Sequence, residues 1–274
     1  MSGPQAIGAA VAMGVASVVA ARWIARAPRR FSVENWAGRT VPAVLGIAFY
    51  TGFVCGYPVA LLVGPAEIWP RTVELLGGSA AALMTLAGLV DDVYGGAARG
   101  FRGHLSELVR LRFTTGSLKL IVGVTLAVTL AIAVGGSGLR IAAAAVLIAI
   151  STNLANALDI RPGRTLKVII PLLAVVWIVS AGEPIGTLAA AAIGAAVGVL
   201  AFDLTERAML GDAGSNPLGL LSGLGLAVIL PTWGVVVAAG VGLALQVAAE
   251  TVTISRLIEA VPPLRWFDRL GRQT

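Results

Sequence analysis

Apolar residues run along most of this chain in blocks of about 20, broken by short polar clusters. A helix needs roughly 20 mostly apolar residues to cross a bilayer. On that measure the pattern predicts nine spans, near residues 4–25, 41–63, 72–90, 117–134, 140–158, 168–181, 185–203, 217–231 and 233–254, the sixth and eighth of them short. Ala, Val, Leu, Ile and Gly fill these blocks, and Gly allows membrane helices to approach closely. No linker, soluble domain or repeat of solenoid period interrupts the pattern. Residues 1–274 therefore read as a single integral membrane domain, an all-α polytopic bundle of about nine transmembrane helices.

Composition supports a lipid environment. Only 12% of the 274 residues are charged and 57% are hydrophobic, whereas soluble domains carry about 25% charged residues. Lipid must then cover much of the surface, which makes the bilayer itself the first expected partner. The net charge of +6 would fit nucleic acid if it were gathered on one exposed domain. Here the basic residues lie between apolar spans, so the positive-inside bias accounts for them and no nucleic-acid partner is expected. Arg22, Arg26, Arg29 and Arg30 follow the first span and set the N-terminus outside; nine spans then leave the C-terminus cytoplasmic. Of the 20 basic residues only Arg71 and Arg140 fall on the predicted outer side. No positive charge precedes the first apolar run, so no cleavable signal is expected. The single cysteine, Cys55, lies in an apolar run and has no internal disulfide partner.

The aspartates need a separate explanation. All six (Asp91, Asp92, Asp159, Asp203, Asp212 and Asp268) fall on the predicted cytoplasmic side, although acidic residues contribute little to orientation. A polar site at that face would hold them there. Asp91 and Asp92 end the third span, where mutual repulsion and the helix C-terminal partial charge both disfavour anions. A divalent cation such as Mg2+, typically held by one or two carboxylates and substrate phosphates, would relieve both penalties; one carboxylate acting as a general base, or a solvated helix end with no role, are the alternatives. The fifth span ends Asn153-x-x-Asn156-x-x-Asp159, polar groups on neighbouring helix faces, followed by Arg161, Arg164 and Lys167. Amides, a carboxylate and cations suit a phosphate and metal site, while asparagines also serve as hydrogen bonds between helices.

The seventh span leads through Asp203, Glu206 and Arg207 to Gly211-Asp212-Ala213-Gly214-Ser215-Asn216-Pro217. Asp203 and Arg207, four apart, can pair on one helical face. Ser215 is expected to cap the eighth helix, with Pro217 in its first turn. A Gly-rich turn opening a helix presents backbone amides to phosphate, with Asp212 as a metal ligand facing it; an ordinary turn and cap is the plainer alternative. The basic loop Arg99 to Lys119, containing Arg102, His104, Arg110 and Arg112 among Phe101, Leu105, Leu108 and Leu111, reads either as an interfacial amphipathic helix or as a plain cytoplasmic loop. Asn35, Gly38 and Arg39 precede the second span. In the tail, Arg265, Trp266, Asp268 and Arg269 suit stacking on a base or anchoring at the membrane interface.

Asp91-Asp92, Asn153-x-x-Asn156-x-x-Asp159 and Gly211-Asp212-Ala213-Gly214-Ser215, in that order, give the resemblance. From about the second span to the tail the chain resembles the polyprenyl-phosphate sugar-1-phosphate transferases. These include phospho-N-acetylmuramoyl-pentapeptide transferase and the N-acetylglucosamine-1-phosphate transferases. The resemblance implies that a polyprenyl phosphate attacks the β-phosphate of a UDP-sugar, giving the polyprenyl-diphospho-sugar and UMP with help from Mg2+ (or Mn2+), at the cytoplasmic face of a bacterial inner membrane, for envelope synthesis. It implies a metal at Asp212 and Asp92, with Asp91, Asp92 and Asp159 catalytic. Asn153, Asn156, Lys119, Arg102, His104, Arg161, Arg164 and Ser215 would line the substrates, and a homodimer is a further implication.

Two departures stand out. Ile160 follows Asp159 where the family has Gly, and the family's late histidine-rich loop has no counterpart. The tail instead reads Pro263-Leu264-Arg265-Trp266-Phe267-Asp268, with Arg265 as a replacement phosphate contact. The donor sugar is therefore not implied by the better-known members. The competing expectations are a weakened relative that binds polyprenyl phosphate or scaffolds envelope enzymes, and, more remotely, a transporter. Transporters place charge near the bilayer midplane, where this chain offers little beyond Glu250.

Overall fold

The computed structural model describes residues 3–26, 31–63, 72–95, 114–252 and 254–272. Along them run α1 (Gly3–Ile24), β1 (Ser32–Glu34), β2 (Thr40–Pro42), α2 (Leu45–Val63), α3 (Thr72–Tyr94), α4 (Thr115–Val134), α5 (Gly138–Leu158), α6 (Arg164–Val179), α7 (Pro184–Leu204), α8 (Asp212–Ile229), α9 (Thr232–Val252), α10 (Ile254–Ala260) and α11 (Pro262–Arg269). A helix stands at each of the nine expected spans. Among the described residues α3, α4, α5, α7 and α9 are long and apolar enough to cross a membrane. The apolar stretches of α1 and α2, Ala10–Ile24 and Leu45–Cys55, are shorter, and α6 has 16 residues with Pro171 inside it.

The outer surface is apolar in stripes. Val11, Val15 and Val19 on α1, Val124, Val128 and Ile132 on α4, and Val237, Val241 and Leu245 on α9 all face outward. Spacing by four puts each trio on one helix face. Such faces are a liability in water and matched to hydrocarbon in a bilayer.

Helix α8 occupies the centre. It touches α2, α3, α4, α5, α6 and α7, and every residue from 213 to 225 is buried. Small residues make this possible. A side chain at Gly46 of α2 would collide with the Ala213–Gly214 backbone, and one at Gly219 or Gly223 would collide with α5. This close contact, rather than a layer of large side chains, is the usual basis of helix association in lipid. At the end of α8, Arg140 donates from Nη1 to the Leu230 carbonyl at 2.9 Å and from Nη2 to the Ala227 carbonyl at 2.8 Å. The cation thereby satisfies acceptors that the helix leaves free.

The opposite end of the bundle is stitched by loops. Residues 41 and 42, expected in the second span, instead belong to a β-hairpin in which Val33 pairs with Val41. Asn35 folds its turn by accepting from the Ala37 and Arg39 amides with Oδ1 at 3.0 and 2.9 Å. The Pro42 carbonyl then accepts from the Met209 amide, and the Leu45 and Gly46 amides donate to Met209 and Leu210. The start of α2 is thus fastened to the loop that leads into α8. Two short tail helices, α10 and α11, complete the chain; no span was expected there.

Candidate functional site

Asp91 and Asp92 lie in the last turn of α3, which continues past residue 90 to Tyr94. Helix α4 begins two residues earlier than expected, because Thr114 caps it by accepting from the Ser117 amide at 3.1 Å. That start brings Thr115 and Lys119 alongside α3, four apart on one face. Thr115 Oγ1 donates to Asp91 Oδ1 at 2.6 Å, and Lys119 Nζ donates to Asp91 Oδ2 at 2.8 Å. Lys119 Nζ also contacts Asp212 Oδ2. One ammonium therefore joins carboxylates from α3 and α8.

Asp92 has a different task. Its Oδ1 accepts from the Asp212 amide and its Oδ2 from the Ala213 amide, both at 2.9 Å. Asp159, at the C-terminal cap of α5, accepts from the Gly211 amide with Oδ2 at 2.9 Å. Free amides and positive partial charge at a helix N-terminus favour anions. Here two carboxylates of the chain itself fill that role. Gly211 makes it possible: its φ of +69° is left-handed, and a side chain there would strike Asp92 and the Ala43 carbonyl. Withdrawal from solvent, with Asp203, Asp212 and Asp92 nearby, pushes the Asp159 carboxyl well above the usual carboxylate range; the Gly211 amide opposes this.

This geometry revises several expectations. Helix α8 starts at Asp212, with Gly211 as its cap, so Ser215 does not cap it. Ser215 is fully buried one turn in, and its hydroxyl has no partner. The cap comes from Asp92 on another helix, which a reading of adjacent residues does not anticipate. For the same reason the amides of the Gly-rich turn are already occupied. Asn153 Nδ2 donates to Gln246 Oε1 of α9 at 2.8 Å, so it joins helices away from the carboxylates. Asp203 does not pair with Arg207; its Oδ2 accepts from the Gly163 amide at 2.8 Å, just before α6.

The described cations take separate places. Arg164 is buried, donating from Nε and Nη2 to Asp268 at 2.8 and 3.1 Å and from Nη1 to Ser255. Arg161 stacks its guanidinium 4.1 Å from the centre of the Trp36 ring. Arg265 is exposed on α11. Asn156 stays half-buried one turn before Asp159. Arg102 and His104 lie outside the described residues.

Asp91, Asp92, Lys119, Asp159 and Asp212 thus form one cluster, built from α3, α4, the end of α5 and the start of α8. Beside it opens a cleft lined by Asn35, Trp36, Asp159, Arg161, Asp203 and Glu206. Asn35 Nδ2 donates to Glu206 Oε2 at 2.6 Å, and Arg39 pairs with the same carboxylate. Trp36, Glu206 and Thr115 were not singled out from the sequence as site residues. Thr115 alone carries a sequence signal, the Thr114-x-x-Ser117 start of a helix four residues before Lys119.

Among the described residues no group of three or more His, Cys, Asp or Glu is arranged to hold a metal ion. The arrangement offers two carboxylates, Asp91 and Asp212, whose shared cation is the Lys119 ammonium. A metal bound here would need a phosphate beside these two carboxylates, since the described residues make no all-protein cage. No family model matches this chain, and no curated protein matches it either.

Proposed function

We propose that this chain is a Mg2+-dependent membrane transferase that moves a sugar-1-phosphate from a nucleotide sugar, UDP-linked by resemblance, onto polyprenyl phosphate. The reading places the cluster at the cytoplasmic face of a bacterial plasma membrane, with nine spans, the N-terminus outside and the product destined for envelope glycan. The observation that carries it is the meeting of Asp91, Asp92, Lys119, Asp159 and Asp212 at one end of a lipid-compatible bundle. A lipid phosphate can reach protein side chains only at such an end.

Phosphoryl transfer asks for positioning and charge stabilisation more than covalent chemistry. In this reading Lys119, which bridges Asp91 and Asp212, also neutralises the phosphate. Asp91, fixed by Thr115 and Lys119, is placed to orient the acceptor phosphate. Asp91, in place of the expected Asp92, would hold Mg2+ with Asp212, because both Asp92 oxygens accept backbone amides; Asp92 and Asp159 shape the loop that presents Asp212. When bound, the ion offsets phosphate charge in the transition state. Arg161, at the edge of the narrow cleft beside Asp159, would contact the donor phosphates.

A second reading, a lipid-phosphate binder or scaffold without turnover, draws support from one observation. Asp92 and Asp159 are committed to backbone amides, which is a structural role. Purified protein incubated with polyprenyl phosphate, Mg2+ and a panel of nucleotide sugars separates the two. The transferase reading expects nucleoside monophosphate release that Asp212→Asn abolishes while the variant stays folded. Lipid binding with no release across the panel selects the scaffold; unchanged release by Asp212→Asn refutes the role given to Asp212.

A further inference from the structure

The tail has the geometry of a surface anchor. Helix α8 starts at the carboxylate cluster, and α9 follows it back after a two-residue turn, so α9 ends on the cluster side. Helix α10 begins at Ile254, two positions after the last residue of α9, and Val261 alone separates α10 from α11. The tail therefore stays at the level where α9 leaves the apolar zone.

Helix α11 docks through Asp268 and through its own last carbonyls. Asp268 is the only buried position from 254 to 272 among the described residues. It takes Arg164 through both carboxylate oxygens, and Arg272 Nη2 donates to its Oδ1 at 2.6 Å. Lys167 adds hydrogen bonds to the Phe267, Asp268 and Leu270 carbonyls, and Arg272 Nε donates to the Pro162 carbonyl. With side chains turning about 100° per residue, the face away from Asp268 carries Trp266 and Leu270, and Phe267 lies at its flank, 5.9 Å from the Lys167 ammonium. Trp266, Phe267 and Leu270 are 67, 37 and 49% exposed. Arg269 borders that face, Arg265 lies one turn before it on the side toward Asp268, both are exposed, and Arg256 is exposed on α10.

We infer that α10 and α11 form an interfacial anchor that seats Trp266, Phe267 and Leu270 in an acidic phospholipid surface, with Arg265 and Arg269 on the headgroup phosphates. Trp belongs at headgroup depth, where its amphipathic ring has both an apolar and a wet neighbour. Arginines beside it draw anionic lipid. The membrane is the one apolar partner that the path of α9 guarantees within reach. This inference does not depend on the transferase reading.

The test uses the full chain in lipid nanodiscs, with Cys55→Ser and a nitroxide on Trp266→Cys or, independently, on Leu270→Cys. Nanodiscs of phosphatidylcholine are compared with nanodiscs that also contain phosphatidylglycerol. Collision with oxygen and with a soluble nickel chelate reports depth. Both labels are expected to favour oxygen over nickel, several-fold more so with phosphatidylglycerol, and Arg265→Gln with Arg269→Gln is expected to erase that increment. Nickel access equal to that of a freely dissolved label overturns the anchor. Immersion indifferent to phosphatidylglycerol overturns the acidic surface. Dipolar broadening between labels, the mark of a second copy on this face, overturns both.

Discussion

Lys119 is the residue on which the cluster's charge balance turns. Asp91 and Asp212 each reach its ammonium, and both are largely shielded from water. Removing one partner from a buried ionic group leaves an uncompensated charge, which costs several kcal/mol. Lys119→Met is therefore expected to destabilise the protein by about 3 kcal/mol, read as a lowered midpoint of thermal unfolding in detergent. Adding Asp212→Asn to Lys119→Met removes one of the two stranded charges, so the double variant is expected to recover part of the loss. Additive losses would show that the two groups do not share an interaction. Asp92 poses a contrasting case, because its oxygens serve backbone amides rather than a cation. Asp92→Ala is expected to cost about 1–2 kcal/mol, the scale of a lost helix cap, and Asp92→Asn less, since one acceptor oxygen remains. An Asn variant as damaged as the Ala variant would point to a need for the charge itself.

At the scale of elements, the bundle depends on how closely α8 can be approached. Gly46 lies against the Ala213–Gly214 backbone with no room for a methyl group. Gly46→Ala is expected to push α2 away from the first turn of α8, at a cost of about 1–3 kcal/mol typical of overpacking. The same displacement would loosen the Leu45 and Gly46 amide bonds to Met209 and Leu210. The thermal midpoint should fall, and hydrogen exchange at residues 209–213 should quicken; unchanged exchange there would separate helix packing from loop position. Elements were largely legible in the sequence, because a 20-residue apolar block has few alternatives. The start of α8 was not. Ser215 before Pro217 is a good local cap signal, but Asp92 lies 120 residues earlier and supplies a cap through space, which lets the helix begin a turn sooner. The hairpin was missed for a related reason: its strands are three residues each, and their pairing is fixed by Asn35 and by contacts to the α7–α8 loop.

Across the whole molecule, charge divides into groups that gather at the cluster and groups that fasten distant parts of the chain. The aspartates could be assigned to one end from the sequence, because spans alternate in direction. Their division of labour could not, because neither partner choice nor burial is written in spacing. Arg164 and Asp268 show this most clearly. One looked like a phosphate ligand and the other like a tail residue, yet they form the joint that holds α11 to the start of α6. Burial works against the Asp268 carboxylate, but Arg164 and Arg272 outweigh it and hold its pKa below the usual value. A carboxyl whose pKa is lower in the folded state adds stability above its ordinary pKa, and that contribution fades as pH falls through the folded value. Docking of the tail should therefore hold at neutral pH and weaken only in strong acid, below the ordinary carboxylate range. Hydrogen exchange along α11, corrected for intrinsic rates, is expected to stay slow down to that range and then accelerate ahead of α5 and α8. In Asp268→Asn, α11 should exchange fast at every pH. Protection that persists in the variant would mean that the Lys167 bonds to the α11 carbonyls, rather than the carboxylate, hold the tail in place.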